Sequence, residues 1–248
     1  MTSPKYKLNK SPRLSANQLA ELVNATPIRR RSIIRDAKFP KTVTVAHYMH
    51  AREGIEKFLT NPARTKPDFH SDIQTLTDIA NSPGSKEWKS TDANLSIEAL
   101  QRVEAAYGNT GLGALDLRKL SIKAPKLVIE GVQVSIAPFA TTHAKQSGKE
   151  LVGCATLLLN KSEGSSKVRM HRCKSAAILS LMFTQKHLIN LGLPKPKLCF
   201  VYDVFDGTVI AAPTNYKRAL NNMSAQCEEV ASRWDSIDPP ADYDGPGA

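Results

Sequence analysis

The chain has 248 residues, of which 41% are apolar and 23% charged, and 34 Lys and Arg stand against 23 Asp and Glu for a formal charge of +11. That composition supports a buried core, argues against global disorder, and contains no run of about 18 apolar residues that would cross a membrane; the polar residues 1–10 also lack the apolar stretch of a secretory signal. The positive excess makes acidic partners the first expectation, nucleic acid ahead of an anionic surface.

Residues 11–60 read as three helices. Ser15 to Gln18 has the S-x-x-Q form of a capping box, followed by an apolar face at Leu19, Leu22 and Val23. Thr26-Pro27 marks a second start, with Thr as cap and Pro at the first helical position. That helix carries Arg29, Arg30, Arg31, Arg35 and Lys38 and must stop before Pro40. A third helix is expected over 43–59, where Tyr48, Ala51, Ile55, Phe58 and Leu59 recur at helical spacing. Together they predict a compact helical head. Residues 61–91 read as a linker or loop with a short helix through Ile73, Leu76 and Ile79.

The body is expected over 92–234. Leu95, Ala99, Leu100, Val103 and Tyr107 mark a helix ended by Gly108. A short strand is predicted over 114–122. Alternation over 126–136 predicts another, with a bulge at Gly131. Residues 151–159 form an apolar run typical of a buried strand. A long helix follows over 173–191, then a strand over 198–204 and a hairpin turn at Asp206-Gly207. The last helix is expected over 215–234. The fold class is therefore α/β (or α+β): a three-helix head, then a mixed central sheet flanked by helices in α-β-β-β-α-β order. Residues 235–248 hold Asp235, Asp238, Asp242 and Asp244 with three prolines and no basic residue, and read as a disordered acidic tail.

Two basic clusters carry the functional signal. Arg29, Arg30, Arg31, Arg35 and Lys38 on a short second helix would suit a helix-turn-helix on DNA, since arginine binds phosphate and reads guanine edges. The second cluster holds Lys161, Lys167, Arg169, His171, Arg172 and Lys174, with Glu163 its one acid, and Ser165 and Ser166 beside a helix start that could take phosphate. The plain alternative for both is a solvated face, or a face that meets an acidic protein. The candidate nucleic-acid contacts are thus Arg29, Arg30, Arg31, Arg35, Lys38, Lys167, Arg169, Arg172 and Lys174. Cys154, Cys173, Cys199 and Cys227 form no C-x-x-C pair, so neither a metal nor a cofactor is expected, and reduced thiols fit a cytoplasmic protein. His171 and Cys173 flank Arg172 without a third orienting group, and no catalytic residue is assigned. His143 reads as part of a turn, and Gly108, Gly111 and Gly113 as turn and cap residues.

Residues 134–139, Val-Ser-Ile-Ala-Pro-Phe, followed by Gly148 and the strand over 151–159, resemble the core of PD-(D/E)XK nuclease-like proteins, across about 92–212. The resemblance implies an acid after Pro138, and an acid and a lysine two apart on the next strand, holding magnesium and orienting water. Here Phe139 follows the proline, and Ala155, Thr156 and Leu157 stand on the strand. The resemblance thus implies a core without its usual centre, because magnesium needs oxygen ligands. Glu98, Glu104, Glu130, Glu150, Asp203 and Asp206 are the remaining acids, and Lys161 the one displaced lysine. The N-terminal pattern T-P-x-R-R-R-S-I-I-R-D also resembles a widespread bacterial protein type. The expectation is a bacterial, non-catalytic, nucleic-acid-associated protein, with a divergent metal-dependent nuclease and a subunit of a protein complex as alternatives.

Overall fold

The computed structural model describes residues 4–42, 48–84, 86–120, 123–161 and 165–245. The expected start of the third helix at 43–47, the end of the strand over 114–122, the loop at 162–164 with Glu163, and residues 246–248 of the tail lie outside them. Strand β1, Arg13–Ser15, runs directly into helix α1, Ala16–Asn24. The Ser15 hydroxyl accepts from the Gln18 amide at 3.2 Å, and the Gln18 side chain accepts from the Ser15 amide at 2.8 Å. Two free amides at the helix start are thereby satisfied. Thr26 caps α2, Pro27–Lys38, whose first turn holds Pro27. Helices α3 (Met49–Leu59), α4 (His70–Asn81) and α5 (Glu87–Ala106) follow. Much of the stretch assigned to a loop at 81–91 is therefore helical.

The strands begin with β2, Asp116–Lys119, then β3, Leu127–Ile129, and β4, Val132–Ser135. Next come β5, Pro138–Gln146, and β6, Lys149–Leu158. Helix α6, Ser166–His187, leads to β7, Leu193–Pro194, β8, Phe200–Asp203, and β9, Thr208–Ala211. Helix α7, Lys217–Arg233, closes the body. The central sheet has the order β2-β5-β6-β8-β9, with β7 alongside β6. Its β6 and β8 are parallel and joined through α6, while β2 with β5, β5 with β6 and β8 with β9 are antiparallel. The sheet is mixed and covered on both faces. Val152, Cys154 and Leu158 of β6 point into one core, and Ala155 and Leu157 into the other. Burial on both sides explains why 151–159 is apolar throughout. No helix among the described residues is long and apolar enough to cross a membrane.

Four expectations need correction. The first three helices do not form a head: α1 and α2 pack with α6, α7 and the small sheet β1-β4-β3 on one side, whereas Ala51, Ile55 and Leu59 of α3 join α4 and α5 on the other. Residues 126–136 are a hairpin rather than one bulged strand, because Glu130 (φ 45°) and Gly131 (φ 77°) both adopt the left-handed region and reverse the chain. The region around His143 is not a turn but β5, an inner strand. Its polar threonines are buried because their hydroxyls have acceptors: Thr141 donates to the Arg118 carbonyl at 3.2 Å, and Thr142 to the Leu198 carbonyl at 2.6 Å.

The fourth concerns the acidic tail, whose described part is seated on residues 5–9 and on the end of α2. Trp234 is 1% exposed, and its indole N–H donates to the Asn9 carbonyl at 3.0 Å. The Lys38 ammonium donates to the carbonyls of Asp235 and Ile237, both at 3.1 Å. Tyr6 donates its hydroxyl to Asp242 at 2.9 Å, the Lys5 amide donates to Asp244 at 2.7 Å, and Lys5 pairs with Asp242. Tyr243 meets the Phe39 ring edge-on, 4.9 Å between centroids. The carboxylates that would keep an isolated tail solvated meet amide donors and an ammonium here, and the aromatic ring has a surface to cover.

Candidate nucleic-acid interface

Helix α1 lies between the two basic clusters. Its Glu21 carboxylate accepts from Arg29 of α2 at 2.7 Å through one oxygen and pairs with Arg172 of α6 at 3.3 Å through the other. Asn24, one turn on, donates to the Ser175 hydroxyl of α6 at 3.4 Å. Arginines that are distant in sequence therefore stand at one junction. The Nε of Arg172 is buried and has no acceptor among the described residues. Lys167, His171 and Lys174 recur at helical spacing on another flank of α6, about 100–160° round the helix from Arg172; Lys167 and His171 are exposed and Lys174 half-buried. The sequence signal missed Glu21, because its separation from Arg29 by eight residues and a helix break follows no local pattern.

The remaining candidates fall elsewhere. Arg30 donates to the Leu22 carbonyl at 3.1 Å, closing the end of α1, where a cation also suits the helix dipole. Lys38 is 8% exposed and serves the C-terminal segment. Arg31 and Arg35 are exposed but turn away from α6: at about 100° per residue, Arg31 stands about 160° round the helix from Arg29. They face residues 236–239 across a groove.

Arg169 differs most from its expected surface position, being buried in an ion pair. Its Nε and Nη2 each donate to a different oxygen of Asp203 at 2.5 Å, in a bidentate pair whose side chains are 7% and 1% exposed. Asp206 adds a contact at 3.2 Å. Burial pulls the guanidinium pKa down, but the hydrogen bonds and the two carboxylates outweigh it and hold the pKa above its ordinary value. Asp203 also accepts from the Asp206 amide at 3.2 Å, so it serves the turn as well as the arginine.

The positions implied by the nuclease-like resemblance do come together. Pro138 pairs with Thr156 across β5 and β6, beside Phe139, Ala155 and Leu157, which are all buried. Only the Thr156 hydroxyl offers side-chain oxygen among these positions. Past the carboxyl ends of β6 and β8, a cavity of about 490 Å³ is lined by Glu98, Arg102, Lys161, Ser166, Arg169, Phe205 and Asp206. Lys161 is not without a counterpart: it pairs with Glu98 of α5 at 2.5 Å. The described residues contain no group of three or more His, Cys, Asp or Glu side chains placed to hold a metal. Cys173 is buried on the face of α6 opposite His171, and burial pushes its thiol up to about 12, so the two form no nucleophilic pair. His143 lies on β5 beside the Thr141 hydroxyl at 2.9 Å, its pKa lowered by burial and then by Arg118. No family model matches the chain, and no curated protein matches it.

Proposed function

We propose that the protein docks on the phosphate backbone of nucleic acid without cutting it, through the basic surface of α6 and the junction at which Glu21 of α1 joins Arg29 of α2 to Arg172 of α6. The observation that carries this reading is Glu21, which draws Arg29 and Arg172 to one junction, while Lys167 and Lys174 stand on a further flank of α6. Arg29, more than half exposed, keeps N–H donors open to solvent while the carboxylate orients it, Arg172 sits deeper at 15% exposure, and the lysines add point charges along the helix. Binding of this kind releases counterions and must weaken steeply with salt. Affinity for a DNA duplex and for RNA, measured by fluorescence anisotropy across a salt series, should fall linearly on a log–log plot. The Lys167→Ala/Lys174→Ala variant should lower that slope on DNA by about 2, close to one unit per lost phosphate contact. A salt-insensitive affinity, or an unchanged slope, removes this face from the reading.

A second reading, a divergent nuclease, has its own support. With the hairpin β3–β4 set apart, α5, β2, β5, β6, α6 and β8 follow the α-β-β-β-α-β order implied by the resemblance. Glu98, Lys161 and Asp206 also share the cavity past the strand ends. On this reading magnesium would support plasmid cleavage, EDTA would stop it, and Glu98→Gln with Asp206→Asn would abolish it. Cleavage that survives the double variant would separate any activity from that cavity.

A further inference from the structure

Arg31 and Arg35 belong to neither site above. They line a groove of about 560 Å³ between α2 and residues 236–239, facing Arg233 at the end of α7. The groove also has an aliphatic lining of Ile28, Ile34, Ile237 and Pro239. Ile28 is 78% exposed, the most exposed large apolar side chain among the described residues. Arg31 and Arg35 stand one helical turn apart, about 6 Å between Cβ atoms, a repulsive like-charge spacing, and neither meets an acid among the described residues. Among the described residues Arg233 pairs only with Glu229 of its own helix, at 3.3 Å and in solvent. Against these three cations the groove holds one acid, Asp238.

We infer that this groove takes an acidic peptide segment of a partner protein, one that alternates aliphatic side chains with carboxylates. Each part of the lining answers one part of that ligand. The guanidinium forks match carboxylates in bidentate geometry, and the isoleucines and proline cover an aliphatic anchor. The wall at 236–239 is held in place before binding, since Lys38 fixes the carbonyls of Asp235 and Ile237. A preformed groove spares the ligand the cost of ordering it. Single-stranded nucleic acid suits the lining less well, because binding of that kind rests on aromatic platforms for its bases and, among the described residues, no aromatic ring lines the groove. The inference does not depend on the Glu21 junction or the α6 lysines, because Arg29 points to the other flank of the helix.

The test uses the whole protein and a short fluorescein-labelled peptide alternating Leu with Glu, with a Leu–Lys peptide as control. The acidic peptide should bind and the basic one should not. Ile28→Ser and Arg35→Glu should each weaken acidic-peptide binding by roughly tenfold or more. Both residues are exposed, so the melting temperature should hold, and with Ile28→Ser the salt slope on DNA should hold as well. Three results overturn the inference: no binding at roughly millimolar peptide, binding unaffected by both variants, or displacement of the peptide by a short single-stranded oligonucleotide or by anionic phospholipid vesicles that depends on Ile28 and Arg35. Loss of DNA affinity in Lys167→Ala/Lys174→Ala, with peptide binding intact, would show the two surfaces to be separate.

Discussion

An Arg169→Met variant should be less stable by about 3–5 kcal/mol, seen as a lower denaturant midpoint with little change in slope. The reason is Asp203, which is 1% exposed at the end of β8 and takes both oxygens' main donors from Arg169. Without the guanidinium, the carboxylate keeps, among the described residues, the Asp206 amide at 3.2 Å and the Cys173 thiol at 3.7 Å. A buried charge with so few donors is costly, whereas two apolar groups in the same space need not be. The Arg169→Met/Asp203→Leu double variant should therefore recover most of the loss. The single variant also separates the two roles open to Arg169. A structural ion pair changes the midpoint and leaves the salt slope of DNA binding alone. A phosphate contact does the reverse, and that outcome would sink the assignment made here.

Trp234→Ala should cost a similar amount, about 3–5 kcal/mol, the usual range for deleting a buried indole. The ring fills the core beneath α1, α2 and α7, and its N–H reaches the Asn9 carbonyl. Removing it leaves a cavity, an unpaired carbonyl and a loosened joint between the start and end of the chain. Trp234→Phe keeps most of the ring but not the hydrogen bond, and should cost less. Limited proteolysis gives an independent reading: in Trp234→Ala, cleavage should appear first within 4–9 and 235–245. Equal protection of those segments in both proteins would mean that the Asp242 and Asp244 contacts hold them without the tryptophan.

Local signals in the sequence were sufficient where a residue's chemistry acts on its own neighbours. The Ser15–Gln18 box, Thr26-Pro27 and Asp206-Gly207 each name a backbone geometry, and each lies where expected. Strand β5 was hidden because Ala-Thr-Thr-His-Ala-Lys-Gln looks solvated, and its burial depends on carbonyls at Arg118 and Leu198, far away in sequence. The same limit applies to charge. Nothing adjacent to Arg169 or Lys38 announces burial; Asp203 and the carbonyls of the C-terminal segment decide it. The split of the α2 arginines was legible, since helical spacing alone sets Arg29 apart from Arg31 and Arg35, but the run of like residues disguised it. The partners of α3 could not be read, because an apolar stripe states that a helix must be covered and not by what.

The two open edges of the central sheet differ in what they offer another chain. Strand β2 ends one edge with Asp116, Arg118 and Lys119, three charged side chains out of four, two of them locked in their own ion pair at 2.6 Å. A strand added there must desolvate charge, a common guard against edge-to-edge growth. Strand β9 ends the other edge with Thr208, Val209, Ile210 and Ala211, a β-prone sequence without charge. Its shortness is its protection in the native protein. Any condition that strips the neighbouring segments from this edge exposes an uncharged template, so self-association of a damaged chain is directed to the β9 side, and the sheet has a direction of failure as well as a direction of twist.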